Sequence, residues 1–225
     1  MKNFKLNIFE LALITGIILL NVLVFIITKD TNIVGIVSSI TGVICVVMTA
    51  KGHISCYYWG IVNIATYGII SYQASFFGEV MLNGIYYLPM QFIGIYMWKK
   101  YLDQENIVKT RGMNKKQIFI TLIISLVAIW SYGLFLQAIN GNLPFIDSTT
   151  NVLSILAMYL SVKRFKEQWL MWIMINIISI YMWSVALING ETNSLVMIIM
   201  WSAYLINAVY GYINWTKLER RDKNV

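Results

Sequence analysis

The stretch WLMWIMIN, residues 169–176, opens an apolar run long enough for a helix to cross a bilayer, yet it carries two tryptophans and an asparagine. At helical spacing Trp169, Trp172 and Asn176 fall at i, i+3 and i+7, so they share one stripe. An amide that deep in hydrocarbon must find a hydrogen-bond partner. The stripe therefore reads in two ways. It is an interfacial anchor with a packing contact, or it is one wall of a site for a flat, polar ligand.

The rest of the chain sets that stripe in a membrane. Of 225 residues, 59% are hydrophobic and 12% charged, whereas a soluble domain carries about 25% charge. Mean hydropathy is +0.68. Eight apolar spans are expected, at 8–28, 33–50, 55–74, 78–98, 117–139, 148–163, 168–189 and 193–215. The fold class is thus an all-α polytopic membrane protein with eight transmembrane helices; a β-barrel would show short alternating segments instead. The apolar run behind Lys2 and Lys5 is too long for a signal peptide and lacks a small-residue cleavage site, so it is expected to be a retained helix. Cys45 and Cys56 are too few for a disulfide framework or a metal cluster, and His53 stands alone in a polar turn. No metal and no cofactor is expected.

Charge gives a direction. With the N-terminus in the cytoplasm, all basic residues except Lys29 fall on the inner side, among them Lys51, Lys99, Lys100, Lys163, Arg164 and Arg220. That is the positive-inside pattern, with both termini cytoplasmic in a bacterial inner membrane. The outer turns carry Asp30, Glu79, Asp147 and Glu191. A basic face toward anionic lipid accounts for the net charge of +7 without nucleic acid as a partner.

Two parts of the chain match each other. YYWGIVNIATYGIIS (57–71) aligns with LMWIMINIISIYMWS (170–184) at an offset of 113, pairing Trp59 with Trp172 and Asn63 with Asn176. At 117, Gly94 pairs with Gly211 and Trp98 with Trp215. The expected plan is an N-terminal helix (1–30), a three-helix unit (31–100), a loop and linker helix (101–140), a second three-helix unit (141–217) and a basic tail (218–225). One intervening span makes the two units run in the same direction, a 3+1+3 parallel repeat about an axis along the membrane normal. In repeat transporters the substrate sits near the midplane at the repeat interface.

Candidate site residues follow from depth and repeat. Asn63 and Asn176 lie about 12 Å from the inner ends of their spans. Gln91, Asn207 and Gln137 also lie inside spans, with Asn83 nearer the outer end. Trp59 and Trp172 sit four residues before the matched asparagines, and Trp169 precedes them at the inner end. Trp faces stack on aromatic cations, and amides pair with a carboxamide or sugar hydroxyls. Trp169 aligns with Cys56, so an asymmetric pocket with one extra aromatic wall is expected. Asp147, in PFIDSTTNV, is expected either to cap the sixth span or to meet ligand at the outer mouth. Glu10 is expected to reach the interface. No span carries a charged residue at its centre, which argues against tight ion coupling. No H-E-x-x-H, P-loop or G-x-S-x-G occurs, so the chain is not expected to be an enzyme.

The chain resembles the PnuC family of bacterial vitamin transporters over about residues 30–217. The resemblance rests on WLMWIMIN (169–176), similar to that family's W-x-x-W signature, with QFIGIYMWKK (91–100), FIDSTT (145–150) and GYINWTK (211–217) in support. It implies a fold similar to the SWEET sugar transporters. It also implies facilitated diffusion of nicotinamide riboside, trapped afterwards by a cytoplasmic kinase, and substrate contact by Trp169, Trp172 and Asn176. Relatives that carry thiamine, riboflavin or deoxynucleosides share the fold, and carriers of this kind are often multimers. The opposing reading is a membrane scaffold or sensor whose aromatic and amide residues only pack helices.

Overall fold

The computed structural model describes residues 6–28, 33–73, 80–140, 143–189 and 194–223. Within them the regular structure is helical: α1 Ile8–Thr28, α2 Ile33–Lys51, α3 Ser55–Gln73, α4 Leu82–Tyr87 continued by Leu88–Lys99, α5 Lys115–Ala138, α6 Pro144–Val162, α7 Gln168–Ile188 and α8 Ser194–Lys223. Four of these, α2, α5, α6 and α7, are long and apolar enough to cross a membrane, and the Ile8–Leu20 stretch of α1 is apolar but shorter. Many outward side chains are large and apolar, such as Phe119, Leu122, Leu126 and Trp130 on α5. That surface suits lipid and not water. The chain is a multi-pass helical membrane protein. Lys29, Asp30, Glu79 and Glu191, used above for direction, lie outside the described residues.

Three helix boundaries differ from expectation, each for a local reason. α6 starts at Pro144 and not at 148, because proline's missing N–H and fixed φ suit a first helical turn. Its N-cap is Leu143 (φ 48°, ψ 52°), so Asp147 is not the cap; it is an exposed acid in the first turn. α8 runs on through the supposed tail, since Leu218 and Glu219 are buried and Lys166 Nζ lies 2.6 Å from Glu219 Oε2. α4 opens with a π-helical turn in which the Leu88 N–H donates to the Asn83 carbonyl, five residues back. Pro89 has no N–H and its ring would crowd the carbonyl four residues earlier, so the α-helical register is relaxed before it.

The helices form two halves, α2–α4 and α6–α8, with reciprocal contacts. Across the middle α2 packs on α8, and α4 packs on α6. Trp98 Nε1 donates to the Ser161 carbonyl (3.0 Å), and Trp215 Nε1 donates to the Thr49 carbonyl (2.9 Å). Both indoles are fully buried. α5 packs on α6 at the margin, where Ser148 Oγ donates to the Ile129 carbonyl. The core concentrates at the end carrying Lys51, Lys99 and Lys163, here called the basic end. There residues 101–114 fold over the bundle: Val108 is fully buried and donates its N–H to the Gly52 carbonyl, and Thr110 Oγ1 donates to the Trp215 carbonyl.

Glu10 corrects another expectation, because it does not reach toward the interface. It is 1% exposed, ion-paired to Lys51 on α2 (2.7 Å) and accepting from the Tyr210 hydroxyl on α8 (2.8 Å). The Asn7 N–H donates to the same carboxylate, and Asn7 Oδ1 accepts from the Glu10 N–H, a reciprocal cap at the start of α1. The pair binds α1 to α2 and α8. Removing one partner leaves a buried charge uncompensated. Glu10→Ala is therefore expected to cost about 3 kcal/mol of stability, read as unfolding in detergent. Adding Lys51→Ala to it should cost far less than it costs in the wild-type chain.

Candidate functional site

The site is built upward from an aromatic floor at the basic end. Gly94 on α4 and Gly211 on α8 each sit four residues before a tryptophan, Trp98 and Trp215. Each glycine makes room for a ring from the neighbouring helix. A Cβ on Gly211 would lie 2.5 Å from the Trp169 indole, and one on Gly94 would run into the Tyr57 ring. Tyr57 meets Trp98 edge-on (centroids 4.8 Å), Trp169 meets Trp215 edge-on (6.0 Å), and the two central indoles lie 5.7 Å apart. Four rings thus close the bundle at this end, each central pair in a favoured aromatic geometry.

The contacts of this floor run one residue out of step with the sequence match. Tyr57, not Cys56, is the counterpart of Trp169, and the offset between α3 and α7 is 112, not 113. The α2–α3 and α6–α7 turns agree. The Gly52 N–H donates to the Thr49 carbonyl and the His53 N–H to Met48; at the same offset Arg164 donates to Ser161 and Phe165 to Leu160. In this register Trp172 answers to Gly60, and Asn176 to Ile64. The sequence match of Trp59 with Trp172 and Asn63 with Asn176 was one residue out. Trp59 accordingly is 39% exposed, away from the floor. Asn63 donates to the Ser38 carbonyl (2.7 Å) and to Ser38 Oγ (3.3 Å), its amide wedged against Gly42. It ties α3 to α2.

Two turns above the floor lie three amides. Asn176 on α7 is 3% exposed and Gln91 on α4 is 7% exposed, and neither side chain has a hydrogen-bond partner among the described residues. Asn207 on α8 is 2% exposed; its Nδ2 donates to the Val46 carbonyl (3.2 Å), while Oδ1 is unpaired. The Gln91 amide rests on Gly60, where a Cβ would lie 2.6 Å from Gln91 Oε1 and 3.3 Å from Cys45 Sγ. Gln91 and Asn207 therefore flank α2 at Cys45 and Val46, at one level. Trp172, half-buried and packed on the core, stands one turn below Asn176 on α7. By register the halves exchange sizes: Gly60 and Gln91 in the first, Trp172 and Ala208 in the second.

The remaining candidates are spread out. Asn83 is buried in the π-helical turn of α4, away from the floor. Asp147 is exposed at the far end of α6, its carbonyl accepting from Asn151 Nδ2. Trp169 is 3% exposed and belongs to the floor. Sequence reasoning missed Tyr57 and Gly60. The G-x-x-x-W pairs were the available signal, because a glycine one turn from a buried tryptophan implies a ring packed on its bare face.

Chemically, unpaired buried amides are costly unless something fills them. Here they provide donors and acceptors beside an indole face, with no Lys, Arg, Asp or Glu in any described helix at that depth. Such a level suits a flat ligand that is neutral or singly cationic and rich in polar groups.

The same chain pattern is found in known proteins. A family model described as nicotinamide mononucleotide transporter matches residues 32–217. A nicotinamide riboside transporter PnuC from Neisseria mucosa is 38% identical over 204 residues, covering 88% of this chain and 77% of the relative. The Haemophilus influenzae protein of the same name is 34% identical over 216 residues, covering 95% and 92%. A crystal structure of the vitamin B3 transporter PnuC superposes with a TM-score of 0.79 at 36% identity, covering 96% of this chain and 94% of that one.

The floor makes its own prediction. Gly94→Ala and Gly211→Ala should each destabilise the bundle by about 1–3 kcal/mol through overpacking. Combining Gly94→Ala with Tyr57→Leu should cost less than the sum of the two, a coupling that a double-mutant cycle of detergent unfolding would measure.

Proposed function

Because the chain belongs to the nicotinamide mononucleotide transporter family, we propose that it carries nicotinamide riboside across the bacterial inner membrane by facilitated diffusion. The observation that carries this reading is the level of buried amides, Gln91 and Asn176 without partners and Asn207 half-paired, beside Trp172. Asn63, by contrast, is paired with a neighbouring helix and so reads as structural. In this reading Trp172 stacks on the pyridinium ring. Asn176 and Gln91 hold the carboxamide or ribose hydroxyls, Asn207 adds an acceptor, and Trp169 forms part of the floor beneath.

The riboside is preferred to the mononucleotide on charge. A phosphate is bound through Arg, Lys or helix N-termini. The amide level lies mid-helix and carries no cation among the described residues. The same neutrality speaks for an uncoupled carrier, since proton relays and ion pumps place ionisable groups at depth. Phosphorylation by a cytoplasmic kinase would then trap the riboside and sustain the inward gradient. The basic end faces the cytoplasm in this reading, by the positive-inside rule.

We further read the two halves as a 3+1+3 parallel repeat similar to the SWEET arrangement, with α1 added before it and α5 as the linker. The reciprocal Trp98–Ser161 and Trp215–Thr49 hydrogen bonds and the paired Gly–aromatic notches support that plan.

The test is uptake into proteoliposomes with a panel of nicotinamide riboside, its mononucleotide, thiamine, riboflavin and a deoxynucleoside. Riboside should enter saturably without an ion gradient, and the mononucleotide should not compete. Gln91→Ala and Asn176→Ala should each weaken riboside binding about tenfold, or 1.4 kcal/mol. A requirement for a sodium or proton gradient, or unchanged binding in both variants, would sink this reading.

A further inference from the structure

The two seams between the halves are built differently. The α2–α8 seam is bonded over the last turns of α2, at the basic end: Asn207 Nδ2 to the Val46 carbonyl, Trp215 Nε1 to Thr49 and Asn214 Nδ2 to Ala50. Helix α1 then straps it through the buried Glu10, which holds Lys51 on one side and Tyr210 on the other. Asn7 Nδ2 adds a hydrogen bond to the Tyr210 hydroxyl, and the Phe9 and Tyr210 rings pack at 4.6 Å.

Among the described residues the α4–α6 seam is bonded through two side chains of α4. Trp98 Nε1 donates to the Ser161 carbonyl and the Tyr86 hydroxyl to the Ile155 carbonyl. α1 packs on α2 and α8, and no strap of its kind joins α4 to α6 among the described residues. α4 itself is broken by the π-helical turn Leu82–Tyr87 and by Pro89, whereas α8 runs as one α-helix from Ser194 to Lys223. Such interruptions are where helices bend.

Arg164 and Arg111 together close this seam at the basic end: the Arg111 N–H donates to the Arg164 carbonyl (3.0 Å), the Arg111 carbonyl accepts from the Lys166 N–H (3.0 Å) and Arg111 Nε donates to the Lys163 carbonyl (3.0 Å). The turn after α2 places Gly52 at φ 76°, a left-handed position that glycine adopts freely. The matching turn after α6 places Arg164 there, at φ 65°. A non-glycine residue in that region is strained, and such strain persists where surrounding contacts hold it. The Arg164 side chain supplies them. Its guanidinium lies 3.4 Å from the centroid of the Tyr101 ring, and its Nη1 donates to the Lys109 carbonyl (2.8 Å). Tyr101 follows directly on α4, and the Lys109 N–H donates back to the Tyr101 carbonyl. Arg164 thus fastens the end of α6 to the chain leaving α4.

We propose that the two seams have different tasks: α2–α8 is the hinge, and α4–α6 opens at the basic end when Arg164 lets go of Tyr101 and Lys109. The halves then part like a clam and do not rock symmetrically. Bending at the π-helical turn and Pro89 carries Gln91 off Gly60 as the seam opens. This rests on the transport reading for its purpose, not for its geometry.

The test is Arg164→Gly, which removes the latch while giving the turn its preferred residue, with Arg164→Lys as the second variant. With Cys45 and Cys56 replaced by alanine, spin labels at Lys99 and Tyr159 report the α4–α6 seam. Labels at Tyr58, on α3 against α2, and Lys217 report the hinge side. In the ligand-free protein, Arg164→Gly should add a population on the order of 5 Å longer between 99 and 159 and leave 58–217 unchanged. In vesicles it should change the maximal riboside uptake rate about threefold or more, with the half-saturating concentration held within about twofold. Arg164→Lys, which keeps the charge without the planar fork, should behave as Arg164→Gly does.

Unchanged distances in Arg164→Gly would overturn the latch. Equal widening at both seams would overturn the hinge. A lysine variant indistinguishable from wild type would overturn the stacked geometry. Distances that respond in a protein that moves no riboside would leave the latch standing and refute the transport reading instead.

Discussion

The constraint on which this bundle depends is the approach of an aromatic ring to a glycine, made twice. Gly94 admits Tyr57 and Gly211 admits Trp169, and only then can Trp98 and Trp215 meet at the centre. Each central indole spends its N–H on a carbonyl of the opposite half. In hydrocarbon there is no hydrophobic force to draw helices together, so close packing and interhelical hydrogen bonds carry the association. Small residues let backbones approach, and the rings fill the space this opens. The floor therefore both joins the halves and ends the polar level above it.

The fold was largely legible because the bilayer imposes one length on every span. The span limits agree with the helices within a few residues, except where local chemistry intervened. Pro144 drew α6 back to an earlier start, and the buried Leu218 and Glu219 drew α8 forward. The site was less legible because apolar helices align with one another almost as well one residue out of step. A shared W-x-x-x-N favoured the offset of 113, while the buried faces follow 112. A single step rotates a helix by about 100°, which is why Trp59 faces outward and Asn63 turns to Ser38. The glycines held the true register, but a glycine's meaning depends on what packs against it. Glu10 was misjudged for the same reason: an acid at a span end usually reaches water, and only the tertiary fold brings Lys51 and Tyr210 to it.

In the repeat reading proposed above, each departure from equivalence between the halves is informative. Where the first half has Gly60 under Gln91, the second has Trp172 in register with Ala208. Small and large residues change places between the halves, so an amide on one side answers to an indole on the other. A ligand that is itself one part flat ring and one part hydroxylated sugar needs unlike walls. A strictly symmetric pocket would present the same group to both ends.

The turns show the same logic at the basic end. Gly52 and Arg164 occupy equivalent left-handed positions, and both turns close with the same backbone hydrogen bonds. The backbone alone therefore does not call for arginine, since glycine closes the partner turn without strain. What arginine adds lies entirely in its side chain, which reaches Tyr101 and Lys109 across the α4–α6 seam. The opposite seam closes through α1, by a carboxylate buried too deeply to exchange readily with water. One joint is a buried ion pair; the other is a buried guanidinium stacked on a ring and bonded to a carbonyl. In the uncoupled reading proposed above, no ion gradient drives the opening, so the closed end comes apart at thermal cost alone. Placing the latch on one seam, next to the helix that already bends, keeps that cost low while the other seam holds the halves in register.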